Sequence, residues 1–160
     1  MRESIGTTWI FSICLTFIVL FTAYLAISVN YAKAFKIKSY IVGMIEENDR
    51  GYLPSMESEI EEYLVAPGYT ARGTCSNTIY YDDMTYGTNW EGPYCIEPYG
   101  GTDGKCAACI YKLKVTTSND DIDADKVYYK VVTFFKFDLP VIGYMTTFQV
   151  SGESKTILES

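Results

Sequence analysis

Residues 9–29 read WIFSICLTFIVLFTAYLAISV, 21 positions without a charge, inside an uncharged run that covers residues 4–32. At about 1.5 Å of rise per residue, 21 residues of helix are roughly 31 Å long, the thickness of a bilayer's hydrocarbon core. The sequence therefore predicts a spanning helix over residues 7–30, with residues 1–6 as a short cytoplasmic segment. A cleaved signal peptide is the rival reading, and Ala32, Lys33 and Ala34 offer a small-residue pattern for cleavage. The apolar run is longer than the roughly 7 to 15 residues of a signal-peptide core, and Arg2 beside Glu3 makes a poor positive flank. The span is read as retained.

Charge and cysteine give opposite answers for orientation. Lys33, Lys36 and Lys38 follow the span while only Arg2 precedes it, which by the positive-inside rule turns the C-terminus inward. Four cysteines, Cys75, Cys95, Cys106 and Cys109, lie in the polar part, an even number that suits disulfides in an oxidising exterior. The cysteines decide the reading, because the lysines can snorkel to anionic headgroups at the outer face. The C-terminal domain is expected outside the cell. Cys14, within the span, reads as an inert small apolar residue.

Beyond the span, Ala34, Ile37, Ile41, Met44 and Ile45 recur at three- and four-residue spacing, with no Pro or Gly before Gly43. This pattern predicts that the helix runs on as an amphipathic spine and ends where Asn48, Asp49, Arg50 and Gly51 cluster. Residues 31–66 hold this juxtamembrane stretch and a second short helix, capped by Ser55 or Ser58 and apolar at Met56, Ile60, Tyr63 and Leu64. Residues 67–160 are read as an extracellular antiparallel β domain, with strands over 69–75, 109–117, 126–137 and 147–157. In the second strand Tyr111, Leu113 and Val115 alternate with Lys112, Lys114 and Thr116, the period of a half-buried strand. KVYYKVVTFFKF, residues 126–137, is aromatic and β-branched and reads as a central strand. The fold class is α+β: a long N-terminal helix packed on a small antiparallel sheet.

Residues 76–105, rich in Tyr, Gly, Asp and Asn and lacking a period, read as a long loop. Its aromatics Tyr80, Tyr81, Tyr86, Trp90, Tyr94 and Tyr99 are candidate surface contacts, since loop aromatics make rigid amphipathic contact areas. Asp121, Asp123 and Asp125 alternate as in a calcium loop. However, Lys126 stands where that loop needs Gly and Val132 where it needs Glu, so the segment reads as a hairpin turn and the calcium site as a weak candidate. The four outer cysteines fit structural disulfides better than zinc, because Cys75 and Cys95 are too far apart to form a close ligand pair. Their three possible pairings stay open.

Formal net charge is −7, and from Glu46 onward 9 basic residues face 19 acidic ones. Phosphate neutralisation needs a basic surface, so nucleic acid is excluded as a partner. Histidine is absent, which removes the commonest general base and the His-dependent nucleophile systems. Adjacent acids such as Asp82 and Asp83 read as solvated. No enzyme activity and no cofactor are expected. Within the span, Thr8, Ser12 and Thr16 fall four apart, with Ala23 and Ala26 farther along, and small residues at that spacing let helices approach closely in lipid.

A spanning helix that continues as a spine into a small cysteine-bearing β domain resembles type IV pilins and pseudopilins. The start at residues 2–9, the aliphatic span and FKFDLPVIGYMTTFQVSGESKTI, residues 135–157, are similar to TadE-like minor pilins of tight-adherence systems. The resemblance implies a structural or assembly subunit of a surface pilus or secretion filament. Its partners would be membrane lipid and other pilin-like subunits or copies of itself. In pilins a glutamate near the mature N-terminus pairs with a neighbour's amino group, and Glu3 is the only acidic candidate here. The chain departs from the pilin pattern, in which a Gly precedes a hydrophobic run with Glu at its fifth position. The alternative function is a stand-alone tethered adhesion module that binds a surface ligand through its Tyr-rich loop.

Overall fold

The structure, a computed structural model, describes residues 2–48, 51–66, 69–76, 88–97, 104–115, 125–137 and 146–159. Its first element, α1, is one unbroken helix of 46 residues, Arg2–Glu47, roughly 69 Å long. No proline lies within it, and its two glycines, Gly6 and Gly43, stand near the ends, so nothing in the backbone invites a kink. It stops where Gly51 takes a left-handed φ of 73° and donates its N–H to the Asn48 carbonyl at 2.8 Å. A Cβ at Gly51 would also collide with the Tyr129 ring, so both the turn and the packing require glycine.

A 3-10 turn, Pro54–Met56, leads into α2, Glu57–Val65. Neither Ser55 nor Ser58 caps it. Pro54 opens the helical turn, where a missing N–H costs nothing, and Ser58 Oγ donates to the Ser55 carbonyl at 3.3 Å inside the first turn. The apolar face is as expected: Ile60 and Leu64 are buried, with Met56 and Tyr63 packed partly buried against the core.

Five strands, β1 Thr88–Ile96, β2 Ala108–Val115, β3 Asp125–Phe137, β4 Thr146–Glu153 and β5 Ile157–Glu159, form one antiparallel sheet. The order is β1-β2-β3-β4, and β5 pairs with the start of β3. The long β3 is thus interior, as its composition predicted. Where one strand was expected over 147–157, Ser154 interrupts it. The Ser154 N–H donates to the Tyr129 carbonyl at 2.8 Å and its Oγ accepts the Tyr129 N–H at 2.9 Å, so a side chain replaces one rung of the ladder.

Two further expectations are corrected. Residues 69–75 are not a strand: within them only Gly73 bridges, to Cys106, because Gly73 lies flat on the Phe134 ring with no room for a side chain. The segment read as a loop over 76–105 contains β1. Its sequence TNWEGPYCI lacks alternation because β1 is an edge strand whose register shifts between Glu91 and Tyr94, around Gly92 and Pro93. Proline is tolerated at such an edge irregularity.

Ladder partners share a face of the sheet. Thr133 is buried and its Oγ1 donates to the Ala34 carbonyl at 3.2 Å, which places α1 over the face that also carries Val127, Tyr129 and Val131. Ala34, Ile37, Ile41 and Ile45 are all buried there. α1 runs antiparallel to β3: the Asn30 amide donates to the Lys136 carbonyl at 3.2 Å, while Glu46 Oε1 accepts the Lys155 N–H at 2.8 Å and Oε2 lies 3.6 Å from Lys155 Nζ. α2 sits beside α1, with Tyr40 and Tyr63 stacked at 3.7 Å.

Candidate functional site

The two halves of α1 differ in what covers them. From Ala34 to Ile45 one stripe is buried against the sheet, whereas Trp9 is 71% exposed, Phe17 69% and Leu20 64%. Among the described residues no part of the head covers these large apolar side chains, and residues 6–22 are exposed throughout. Gly6–Glu47 contains a stretch long and apolar enough to cross a membrane. Thr16 Oγ1 donates to the Ser12 carbonyl at 2.9 Å and Thr22 Oγ1 to the Val19 carbonyl at 2.9 Å. Both hydroxyls are thereby satisfied within the helix, as a non-aqueous surrounding demands.

Trp9, Ser12, Ile13, Thr16, Phe17 and Leu20 line a shallow surface groove of about 440 Å³ along one side of α1. Ser12 and Thr16, one turn apart, are the small residues of its lining, and small side chains let a second helix approach closely. Of the other candidate assembly residues, Thr8 and Ala23 lie on α1 outside this groove. Glu3 lies in α1 and its side chain is outside the described residues. Cys14, exposed and unpaired, lies roughly 160–200° around the helix from Ser12 and Thr16.

Where the apolar stretch ends, the base of the head carries an aromatic cluster that sequence reading did not find. Tyr31 stacks on Phe35 at 6.4 Å and meets Phe135 edge-on at 5.9 Å, and Phe135 stacks on Phe148 at 5.3 Å. Lys38 Nζ lies 4.1 Å from the Phe35 ring centroid. Phe35 and Phe148 remain about half exposed, at 46% and 49%. Aromatics at this level match the girdles of membrane–water boundaries. Beside them is a cavity of about 110 Å³, lined by Asn30 and Lys33 of α1, residues 69–71, and Phe135 and Lys136 of β3. Aromatics ending a strand just before a lysine were the available signal, but their approach to Tyr31 depends on the register of β3 under α1.

The outer cysteines pair as Cys75–Cys109 and Cys95–Cys106. The sulfurs of Cys75, Cys95 and Cys106 all lie within 4.8 Å of one another, so the two bonds form one cluster that ties residues 69–76 and β1 to β2. Bonded to each other, these sulfurs are not thiolate ligands. Of the surface candidates, Tyr80, Tyr81, Tyr86 and Tyr99 lie outside the described residues, as does the Trp90 side chain. Tyr94 is 38% exposed and leans on Tyr52 with ring centroids 5.3 Å apart. Burial, followed by the nearby Glu57, pushes the Tyr52 hydroxyl pKa up to about 12. Asp121 and Asp123 also lie outside the described residues, while Lys126 and Val132 belong to β3. Val132, at the twelfth position of such a loop, has no carboxylate to offer a cation.

Compared with protein-family models, curated proteins and solved structures, the chain matches none of them.

Proposed function

We propose that this chain is a membrane-anchored, pilin-like structural subunit. Residues 7–30 cross the bilayer, the disulfide-bearing head lies in an oxidising exterior, and copies associate through the N-terminal helix in a pilus or secretion filament. The observation that carries the reading is the continuity of α1. A simple tether needs only the apolar half and a flexible linker, but here the same helix is both bare in its first half and part of the head's core in its second. Large apolar side chains left uncovered by the described residues of their own chain call for a lipid or protein surface. The Ser12/Thr16 groove gives a second helix a place to approach.

A photocrosslinking experiment in native membranes tests it. A benzophenone maleimide is attached at Ser12→Cys or Thr16→Cys in a Cys14→Ser background, and at native Cys14 as the far-side control. The expected result is a copy-to-copy crosslink from positions 12 and 16 that exceeds that from Cys14. Equal yields at all three positions would remove the groove from the account. No crosslink anywhere would leave a monomeric anchor, as the tethered adhesion module requires.

A further inference from the structure

We propose that the aromatic cluster at the base of the head is itself a membrane contact: Tyr31, Phe35 and Phe148 rest in the lipid interface, so the bilayer is gripped by the sheet as well as by the spanning helix. The inference rests on the membrane-spanning reading above and adds to it a strand, β4, that no helical pattern would place in lipid. Tyr31 is 48% exposed, Phe35 46% and Phe148 49%. Ring contacts through Phe135 join the three into one continuous patch. About half of three such rings amounts to roughly 300 Å² of aromatic surface, the size at which an uncovered patch marks a contact.

The height of the patch follows from α1. The uncharged run ends at Ala32; Tyr31 lies just before it, and Phe35 follows by three residues, about 4.5 Å. A helical side chain leans towards the N-terminus of its helix, so the Phe35 ring reaches back over that distance. Phe148 pairs with Phe135 across the β3–β4 ladder and Phe135 meets Tyr31 edge-on, which brings the β4 ring to the height of Tyr31. The polar layer outside the hydrocarbon is about 5–8 Å deep and takes in all three rings. Trp9 precedes Tyr31 by 22 residues, roughly 33 Å of helix, so the two aromatic levels are spaced as the two faces of a bilayer are. Lipid, rather than a second protein, also suits the charge around the patch. Residues 4–45 contain Lys33, Lys36 and Lys38 and no acid, whereas from Glu46 onward 9 basic residues face 19 acidic ones. Aromatic rings interleaved with lysines match the boundary between acyl chains and phosphates, with the lysine stems reaching outward. Because β4 stands beside α1, the contact lies off the helix axis, and two supports at one level set the tilt at which the helix crosses.

Depth-resolved fluorescence of the full chain in vesicles of phosphatidylcholine and phosphatidylglycerol tests it. In a Cys14→Ser background, an NBD fluorophore is attached at Phe148→Cys, at Leu20→Cys within the span, or at Thr156→Cys. Thr156 follows Lys155, which pairs with Glu46, roughly 26 Å of helix beyond Val29. The lipids carry a nitroxide quencher at the headgroup, high on the acyl chain or low on it. Position 148 should lose most fluorescence to the headgroup and high-chain nitroxides, position 20 to the low-chain nitroxide, and position 156 none to any of them. Quenching at 148 no greater than at 156, while position 20 is quenched, overturns the head contact and leaves the membrane reading standing. Absence of quenching at position 20 refutes the membrane reading, and this inference with it. A second measurement keeps an aromatic ring in place: p-benzoylphenylalanine substituted for Phe148 is irradiated in the same vesicles, and the peptide that carries it is weighed. A phospholipid adduct is the expected product. A crosslink to a second copy of the chain assigns the patch to protein and overturns the lipid contact, as does a peptide without any adduct.

Discussion

Removing the two disulfides separately should destabilise the head by unequal amounts, and the order follows from how the bonds are nested. Cys75–Cys109 spans a sequence separation of 34 and encloses Cys95–Cys106, which spans 11. Closing these loops in the unfolded chain contributes about 3.8 and about 2.8 kcal/mol respectively at room temperature. Packing does not blur the comparison, since each pair joins one buried sulfur, Cys109 or Cys106, to one half-buried sulfur, Cys75 or Cys95. Alanine at both positions therefore leaves similar holes, and the difference falls on the loop. Cys75→Ala with Cys109→Ala should cost about 1 kcal/mol more than Cys95→Ala with Cys106→Ala, or about 4–8 °C in Tm for a head of this size. The measurement is thermal unfolding of the full chain in detergent by near-UV circular dichroism, with free thiols titrated after denaturation. Each double variant should show one free thiol, Cys14. A reversed order of stability, or three free thiols in either variant, would refute the pairing and the entropic argument together.

Two further perturbations test the packing beneath the sheet. Gly73→Ala would place a methyl group inside the Phe134 ring and strain the Gly73–Cys106 bridge, whose two hydrogen bonds are each 2.9 Å. A loss of about 1–3 kcal/mol is expected in urea unfolding, and an unchanged midpoint would show that the segment does not press on Phe134. Stability should also fall at high pH. Burial raises the hydroxyl pKa of Tyr69 and Tyr111 and takes Tyr52 to about 12, all above the ordinary value of 10.0. The folded state thus favours the protonated phenols: their contribution is complete below pH 10 and is lost as pH rises towards 12. Tyr69 is buried and its hydroxyl has no hydrogen-bond partner among the described residues. The nearby Phe134 backbone offsets only part of the burial. Tyr69→Phe should raise neutral-pH stability by about 1 kcal/mol and flatten the alkaline decline, and a less stable variant would mean that the hydroxyl is satisfied.

Elements with a strong period were legible, and elements held by distant contacts were not. The apolar run and the stripe at Ala34, Ile37, Ile41 and Ile45 specify α1 directly, because burial on one side of a cylinder imposes that spacing. β3 was legible because an interior strand needs apolar residues on both faces. β1 was hidden by its place at the sheet edge, where Gly92 and Pro93 are allowed and one face need not be covered. The capping serines failed for a local reason: Pro54 already presets the backbone for the first turn. The cavity beside Asn30 and the aromatic cluster join residues over a hundred positions apart, and only the register of β3 under α1 brings them together.

That register would also limit how copies pack under the association proposed above. At about 100° per residue, Ser12 and Thr16 in the groove's lining fall within about 45° of the mean azimuth of the buried stripe at Ala34, Ile37 and Ile41. The groove therefore opens on the same side of α1 as the head. A neighbour seated in it with its helix parallel and level would drive its own residues 30–47 into the first copy's sheet. Either the helices cross so that they diverge above the groove, or the neighbour is displaced along the axis by about 17 residues, roughly 26 Å. Two copies fully seated in one flat bilayer can adopt only the first arrangement, whereas an axial step of nearly a bilayer's thickness requires one copy to rise out of the membrane. The position of the crosslink separates the two: from Ser12 the probe reaches the neighbour's own span near Ser12 when the helices cross, and the neighbour's residues near Val29 when they step. For a continuous helix that enters the head without a hinge, the proposed association therefore has these two arrangements and no level, parallel one.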